Sequence, residues 1–152
     1  MNIVIMAGGM GGSRLSNPNK PLVNVCGKPM IEHIASVVSE FGKTYIATTV
    51  RHTEVINWAR QHGREVLITS GAGYSKDLLE SLLMVGTPTM FVPGDTPPLI
   101  TRELIRKFLA MAAYVTSPMI TLMYEKDGEV KFTGISLVKR LEVMHGSYPG
   151  HP

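Results

Sequence analysis

Directly after the short apolar run Asn2–Met6, the chain places four glycines in five positions: Gly8-Gly9-Met10-Gly11-Gly12, followed by Ser13 and Arg14. Glycine carries no Cβ, so bare backbone N–H groups in such a loop can approach an anion closely and adopt left-handed conformations without strain. Two more cations, Lys20 and Lys28, follow, and residues 1–31 contain no carboxylate. These residue types at this spacing predict a phosphate-binding loop for a small anionic ligand. They do not resemble the basic face, spread over a whole surface, that nucleic acid requires.

One common phosphate loop is excluded, and a dinucleotide loop is left as the second reading. A P-loop requires G-x-x-x-x-G-K-[ST], whereas Ser13-Arg14 follows Gly12. A dinucleotide fingerprint requires G-x-G-x-x-G. Gly9-Met10-Gly11 begins one, but Arg14 stands where the third glycine normally allows close helix–strand packing. A guanidinium there is better suited to forking a phosphate.

The elements that must hold this loop follow from hydrophobic spacing. Asn2–Met6 reads as a buried strand entering the glycine loop. Met30–Phe41 reads as a helix, with Pro29 in its first turn and Gly42 as its stop. Thr44–Thr49 is the next strand. Thr53–His62 is a helix capped by Thr53, and Glu65–Thr69 is a third strand. Ser75–Met84 is a helix and Thr89–Val92 a strand broken at Pro93-Gly94. Thr101 caps a helix bearing Leu104, Ile105, Phe108 and Leu109. Pro118–Tyr124 and Val130–Val138 bracket Asp127-Gly128, a hairpin-turn signal. This alternation predicts a three-layer, Rossmann-like α/β fold: a mostly parallel sheet with helices on both faces and a late antiparallel hairpin. In such sheets ligands bind at the carboxyl ends of strands, where the glycine loop lies. Residues 1–147 are expected to form one domain and 148–152 a flexible tail, with His145 and His151 as exposed polar residues near it.

Composition bounds the alternatives. At 152 residues, 44% hydrophobic and 18% charged, the chain has the composition of one globular domain. No apolar run approaches the ~18–20 residues of a membrane span, and no basic segment precedes an apolar stretch at the N-terminus. The expectation is a soluble, cytoplasmic protein with no nucleic-acid partner. A single cysteine, Cys26, excludes an intramolecular disulfide and a cysteine-cluster metal site; between Val25 and Gly27 it is expected to serve packing. Trp58 is expected to be partly core.

Three segments in order carry a family resemblance: Ala7-Gly8-Gly9 … Arg14, then Lys20-Pro21-Leu22, then Gly27-Lys28-Pro29-Met30-Ile31. Together they resemble the signature of nucleotidyltransferases of the sugar-nucleotide pyrophosphorylase and molybdenum-cofactor guanylyltransferase type. One extra residue separates Gly-Gly from the arginine, so either Gly11 or Gly12 takes the usual glycine's place. Thr69-Ser70-Gly71-Ala72-Gly73-Tyr74 … Asp77-Leu78 is similar to a loop of the archaeal GTP:adenosylcobinamide-phosphate guanylyltransferase family, as is Leu22-Val23-Asn24-Val25-Cys26-Gly27.

The resemblance implies transfer of GMP from GTP to adenosylcobinamide phosphate, with pyrophosphate leaving. A molybdopterin phosphate or a sugar 1-phosphate is the alternative acceptor, and a non-catalytic nucleotide-binding protein of the same fold the alternative class. An acceptor phosphate is already ionised near neutral pH, its second pKa being about 6, so no general base is needed. The nucleotide site implied comprises Ala7, Gly8, Gly9, Gly11, Gly12, Ser13, Arg14, Lys20, Gly71, Gly73 and Tyr74. Arg14 would hold the β- and γ-phosphates, and Lys20 would offset charge at the α-phosphate. Arg51 and His52, after the second strand, are candidates to meet acceptor phosphate. Mg²⁺ takes one or two carboxylates together with substrate phosphates. Of the three aspartates, Asp95 follows the fourth strand on the ligand side and is the expected metal ligand. Asp127 reads as a turn residue, which leaves a second metal ligand open. Asp77 reads either as a ligand or as a partner of its own helix dipole. A homodimer is possible on so small an α/β domain.

Overall fold

The computed structural model describes residues 1–9, 19–95 and 100–141. Six strands form the main sheet in the order β5-β4-β1-β6-β8-β7. The strands β1 (Asn2–Met6), β4 (Lys43–Thr49), β5 (Glu65–Thr69) and β6 (Thr89–Pro93) are parallel. β7 (Met119–Lys126) and β8 (Glu129–Val138) add the antiparallel hairpin, with β8 against β6. Ile3, Val4 and Ile5 at the centre are fully buried, as expected of a parallel strand covered on both faces.

The alternation of β1 side chains divides the core in two. Ile3 and Ile5 join α1 (Met30–Val38), α2 (Thr53–Gln61) and α4 (Arg102–Ala112) on one face. Val4 joins α3 (Tyr74–Val85) on the other through Leu78 and Leu82. The expected three layers are present. Leu79 and Leu83 of α3 point away from the sheet and are exposed. Trp58 is buried and stacks on His62.

The Thr101 cap is as expected, its hydroxyl accepting the Leu104 N–H at 3.1 Å. Asp127 and Gly128, at φ 52° and 79°, make the tight hairpin turn. Other expectations need correction. α1 ends at Val38, because Gly42 passes against the Met1 carbonyl, where a Cβ would lie 2.2 Å from that oxygen. The chain must therefore leave the helix before Gly42. Thr53 is the first helical residue of α2 and His52 holds the cap position, since the His52 N–H closes a turn onto the Thr49 carbonyl at 3.0 Å. Cys26 is exposed at φ 52°, at the tip of an unforeseen small hairpin of β2 (Asn24–Val25) and β3 (Lys28–Pro29), so it serves a turn and not packing. The expected tail and the histidines near it lie outside the described residues.

Candidate nucleotide site

The chain adds β4 and β5 to one side of β1, then crosses back to place β6 on the other side. The ends of β1 and β6 thus flank the point where strand order reverses, the usual ligand crevice of an open α/β sheet. The segment Ala7–Gly9 leaves β1 there. Ala7 is held by its N–H on the Ala47 carbonyl at 2.8 Å and by the Thr48 hydroxyl donating to its own carbonyl at 3.0 Å. Gly8 lies so close to β4 that a Cβ would sit 3.1 Å from the Thr48 Cα. Gly9 is exposed. Gly11, Gly12, Ser13 and Arg14 lie outside the described residues.

Across the crevice, Gly94 donates its N–H to the Met6 carbonyl at 3.0 Å, which fixes the start of the segment leading to Asp95. Lys20 begins a 3-10 turn, Lys20–Leu22, anchored by buried Pro21 and by Leu22 against the core. That turn brings Lys20 Nζ within 3.4 Å of Asp95 Oδ2, with the two side chains 54% and 38% exposed. The residue expected to meet the α-phosphate and the residue expected to hold the metal are thereby neighbours, and both remain open to a ligand.

The other expected wall forms after β5. Gly71, at φ 74°, donates its N–H to Asp77 Oδ1 at 2.9 Å, and Ser70 donates its N–H to Glu80 Oε2 at 2.9 Å. The Ser70 backbone N–H, and after it the Ser70 hydroxyl, lower the Glu80 pKa from its ordinary value. Asp77 is buried and, through the Gly71 N–H, stabilises the loop's backbone. Gly73, at φ 118°, caps α3, and Tyr74 begins it with 45% exposure. Burial raises the Tyr74 phenol above its ordinary value, and the neighbouring Ser136 hydroxyl offsets part of this.

Thr49 joins the two glycine segments. Its Cγ2 would lie 3.3 Å from a Cβ on Gly8 and 3.0 Å from one on Gly71. Its hydroxyl accepts the Arg51 N–H at 3.3 Å and bonds His52 Nδ1 at 2.7 Å. His52 is 1% exposed, so the expectation that it meets acceptor phosphate is overturned: α2 carries it into the core as its cap residue. Burial first, then the Arg51 charge, lowers its pKa, and its Nε2 has no hydrogen-bond partner. Arg51 is exposed, and its guanidinium would lie 3.2 Å from a Cβ on Gly71. Sequence reasoning missed Thr49 and Glu80, since a strand threonine and a helix-surface glutamate carry no motif.

Asp127 occupies the hairpin turn as expected. Among the described residues no group of three or more His, Cys, Asp or Glu could enclose a metal ion. A lone Asp95 carboxylate on the rim of the crevice suits a Mg²⁺ ion that takes its other oxygens from a triphosphate and water. No helix of the described residues is long and apolar enough to cross a membrane.

The family model described as a MobA-like NTP transferase domain matches residues 3–150. A 3-deoxy-manno-octulosonate cytidylyltransferase of Brucella anthropi is 33% identical over 139 residues, covering 86% of this chain and 54% of that protein. The adenosylcobinamide-phosphate guanylyltransferase of Methanocaldococcus jannaschii is 34% identical over 102 residues, covering 62% of this chain and 52% of that protein. The chain therefore spans about half the length of these relatives. Among solved structures, a CMP:2-keto-3-deoxy-manno-octonic acid synthetase complexed with CTP matches with a TM-score of 0.68 at 20% identity, covering 91% of this chain and 74% of that one. At that identity the likeness shows the fold.

Proposed function

From the premise that the chain belongs to the MobA-like NTP transferase domain family, we propose that it transfers GMP from GTP to adenosylcobinamide phosphate. An oxygen of the acceptor phosphate attacks the α-phosphorus, the bond between that phosphorus and the β-bridging oxygen breaks, and pyrophosphate leaves. The observation that carries the reading is the Lys20–Asp95 pair at the strand-order reversal, beside the glycine segment after β1.

Catalysis of this kind is alignment plus charge neutralisation. Ala7, Gly8 and Gly9, with Gly11, Gly12 and Ser13, would cradle the nucleotide, and Arg14 would hold its β- and γ-phosphates. Lys20 would offset charge developing at the α-phosphate. Gly71, Gly73 and Tyr74 would line the base and ribose side, on a loop that Asp77 and Glu80 already hold rigid. Asp95 would hold Mg²⁺ jointly with the triphosphate, and the ion, when bound, offsets charge on the departing pyrophosphate.

A second reading is transfer of CMP to 3-deoxy-manno-octulosonate. The match covering 86% of this chain favours it. The experiment is a panel of GTP, CTP, ATP and UTP crossed with adenosylcobinamide phosphate and 3-deoxy-manno-octulosonate, read by pyrophosphate release with Mg²⁺. Turnover confined to GTP with the cobinamide phosphate supports the first reading. Turnover with CTP and the sugar acid replaces it with the second. Binding of a triphosphate without transfer to any acceptor points to a non-catalytic nucleotide-binding protein.

A further inference from the structure

The imidazole of His52 lies in the core with one of its two nitrogens unpaired. It is 1% exposed, and its Nε2 has no hydrogen-bond partner. A buried polar atom left in this way costs stability, whereas apolar side chains of similar shape at both ends of its remaining bond would be close to neutral. Stability alone therefore does not account for the residue. The remaining bond joins Nδ1 to Thr49 Oγ1 at 2.7 Å, and counting hydrogens gives its direction. Thr49 Oγ1 already accepts the Arg51 N–H at 3.3 Å, and among the described residues its single hydrogen has no acceptor other than Nδ1. The hydroxyl thus donates to Nδ1, and the ring carries its hydrogen on Nε2. Burial first, and then the Arg51 charge, lower the His52 pKa, which favours the neutral ring that can accept this bond.

The bond fixes which way Thr49 branches. Thr49 is the last residue of β4, which lies between β1 and β5. With its hydroxyl turned to His52, its methyl fills the gap between two segments that arrive from either side. One is Gly8, after β1, where a Cβ would lie 3.3 Å from Thr49 Cγ2. The other is Gly71, after β5, where a Cβ would lie 3.0 Å from it. A turn of one staggered step about χ1 would put a different substituent in that gap. The tie to the core is what reserves the gap for the methyl.

We infer that His52 is a positioning residue for the nucleotide slot: through the Thr49 hydroxyl it keeps the Thr49 methyl between Gly8 and Gly71, and so sets the separation of the two glycine segments from inside the core. The inference rests on nucleotide binding between those segments, as in the proposed transfer reaction, and adds to it a residue that touches no ligand. Without the imidazole, the buried Thr49 hydroxyl hydrogen loses its acceptor. The side chain then turns about χ1 towards another acceptor and carries the methyl out of the gap. With valine at position 49 there is no hydroxyl to satisfy, and a methyl stays in the gap whether or not the imidazole is present.

The test is calorimetric binding of GTP and of CTP, with Mg²⁺, to the wild-type chain, His52→Leu, His52→Asn, Thr49→Ser and the double variant Thr49→Val/His52→Leu, with thermal melts to confirm that each is folded. His52→Leu is expected to weaken binding of the triphosphate that the wild type prefers by about tenfold or more. Thr49→Ser keeps the bond to His52 but lacks the methyl, and should lose a similar amount. His52→Asn offers an amide oxygen near the place of Nδ1 and should recover most of the loss. The double variant should recover it too, although it lacks both partners of the bond. A general loss of packing predicts the opposite, a double variant at least as weak as the single one. Unchanged affinity in His52→Leu, or a double variant no better than His52→Leu, overturns the inference. If His52→Leu does not fold, wild-type affinity in Thr49→Ser overturns it. A wild type that binds neither triphosphate overturns it together with the nucleotide slot. Because calorimetry reads binding without turnover, the expected affinities in a protein that never releases pyrophosphate would refute the transfer reaction and leave the positioning role standing.

Discussion

Replacing Lys20 by alanine separates a reaction role from a surface ion pair. The backbone around it should not move: Leu22 N–H bonds the Asn19 carbonyl at 2.8 Å, Val23 N–H bonds the Lys20 carbonyl at 3.1 Å, and neither bond needs the side chain. The ion pair with Asp95 spans 3.4 Å between side chains 54% and 38% exposed. Pairs this open contribute about 0–1 kcal/mol to stability. For a domain of this size that is a melting shift of at most ~4 °C. Loss of a group that stabilises transition-state charge costs far more, about 2.7–4 kcal/mol, or ~10²–10³ in kcat. The expected result for Lys20→Ala is therefore a nearly unchanged melting temperature, GTP binding within about fivefold, equivalent to ~1 kcal/mol, and pyrophosphate release reduced at least a hundredfold. Lys20 would also compete with a metal held by the Asp95 carboxylate, so the Mg²⁺ concentration giving half-maximal rate should not rise in the variant. Unaltered turnover would refute the role assigned to Lys20. A large rise in the Mg²⁺ requirement, with full rate restored at high Mg²⁺, would show that it acts by holding the metal.

The remaining predictions concern the groups around it. Asp95→Asn should abolish Mg²⁺-dependent pyrophosphate release while leaving the fold intact by circular dichroism; retained activity would place the metal elsewhere. Asp77→Ala leaves the Gly71 N–H without its partner and should cost about 1–3 kcal/mol of stability, raising the GTP KM more than it lowers kcat. Asp77→Asn keeps an acceptor oxygen and should fall between, as read by urea unfolding and initial rates. His52 has its pKa lowered in the folded state, so below about pH 6.5 the unfolded chain takes up a proton that the folded chain refuses. Its contribution is fully present above that pH and is lost as pH falls, with a limiting slope of ~1.4 kcal/mol per pH unit. Urea titrations from pH 7.5 to 5 should show stability falling as the pH drops, with a slope no steeper than that limit, and His52→Gln should flatten it.

The strands and helices were legible where side chains repeat with a period. Ile3, Val4 and Ile5, a short apolar run entering a glycine loop, signal a buried strand, and Leu104, Ile105 and Phe108 share one side of a helix. What failed depended on distant chain. The end of α1 is set by Gly42 against Met1, a contact no local pattern contains. The β2–β3 hairpin has two-residue strands, too short for any period, so no pattern in the sequence marks Cys26 as a turn residue. In the candidate site, Lys20 and Asp95 were each legible by residue type and by position after a strand or loop. Their proximity follows only from the sheet order, which puts β6 beside β1. Thr49 was illegible because its job is spatial: a branched side chain between two glycines that approach from different loops.

The same crossover divides the site into two halves that should respond differently to change. Gly8, Thr49, Gly71 and Asp77 are linked through close backbone approach and amide bonds, with no open charge among them, so they can set only the width and position of a binding slot. Lys20 and Asp95 sit on the β1–β6 side with their charges still open to a ligand. A change in the first half alters ground state and transition state alike, which is uniform binding and appears in KM or Kd. On the proposed reaction, a change in the second half would remove an interaction that grows as charge moves onto the leaving phosphates, which would appear in kcat. A mutation set in which these two readouts moved together would mean that the site behaves as one coupled unit, and that the division read from the strand order is wrong.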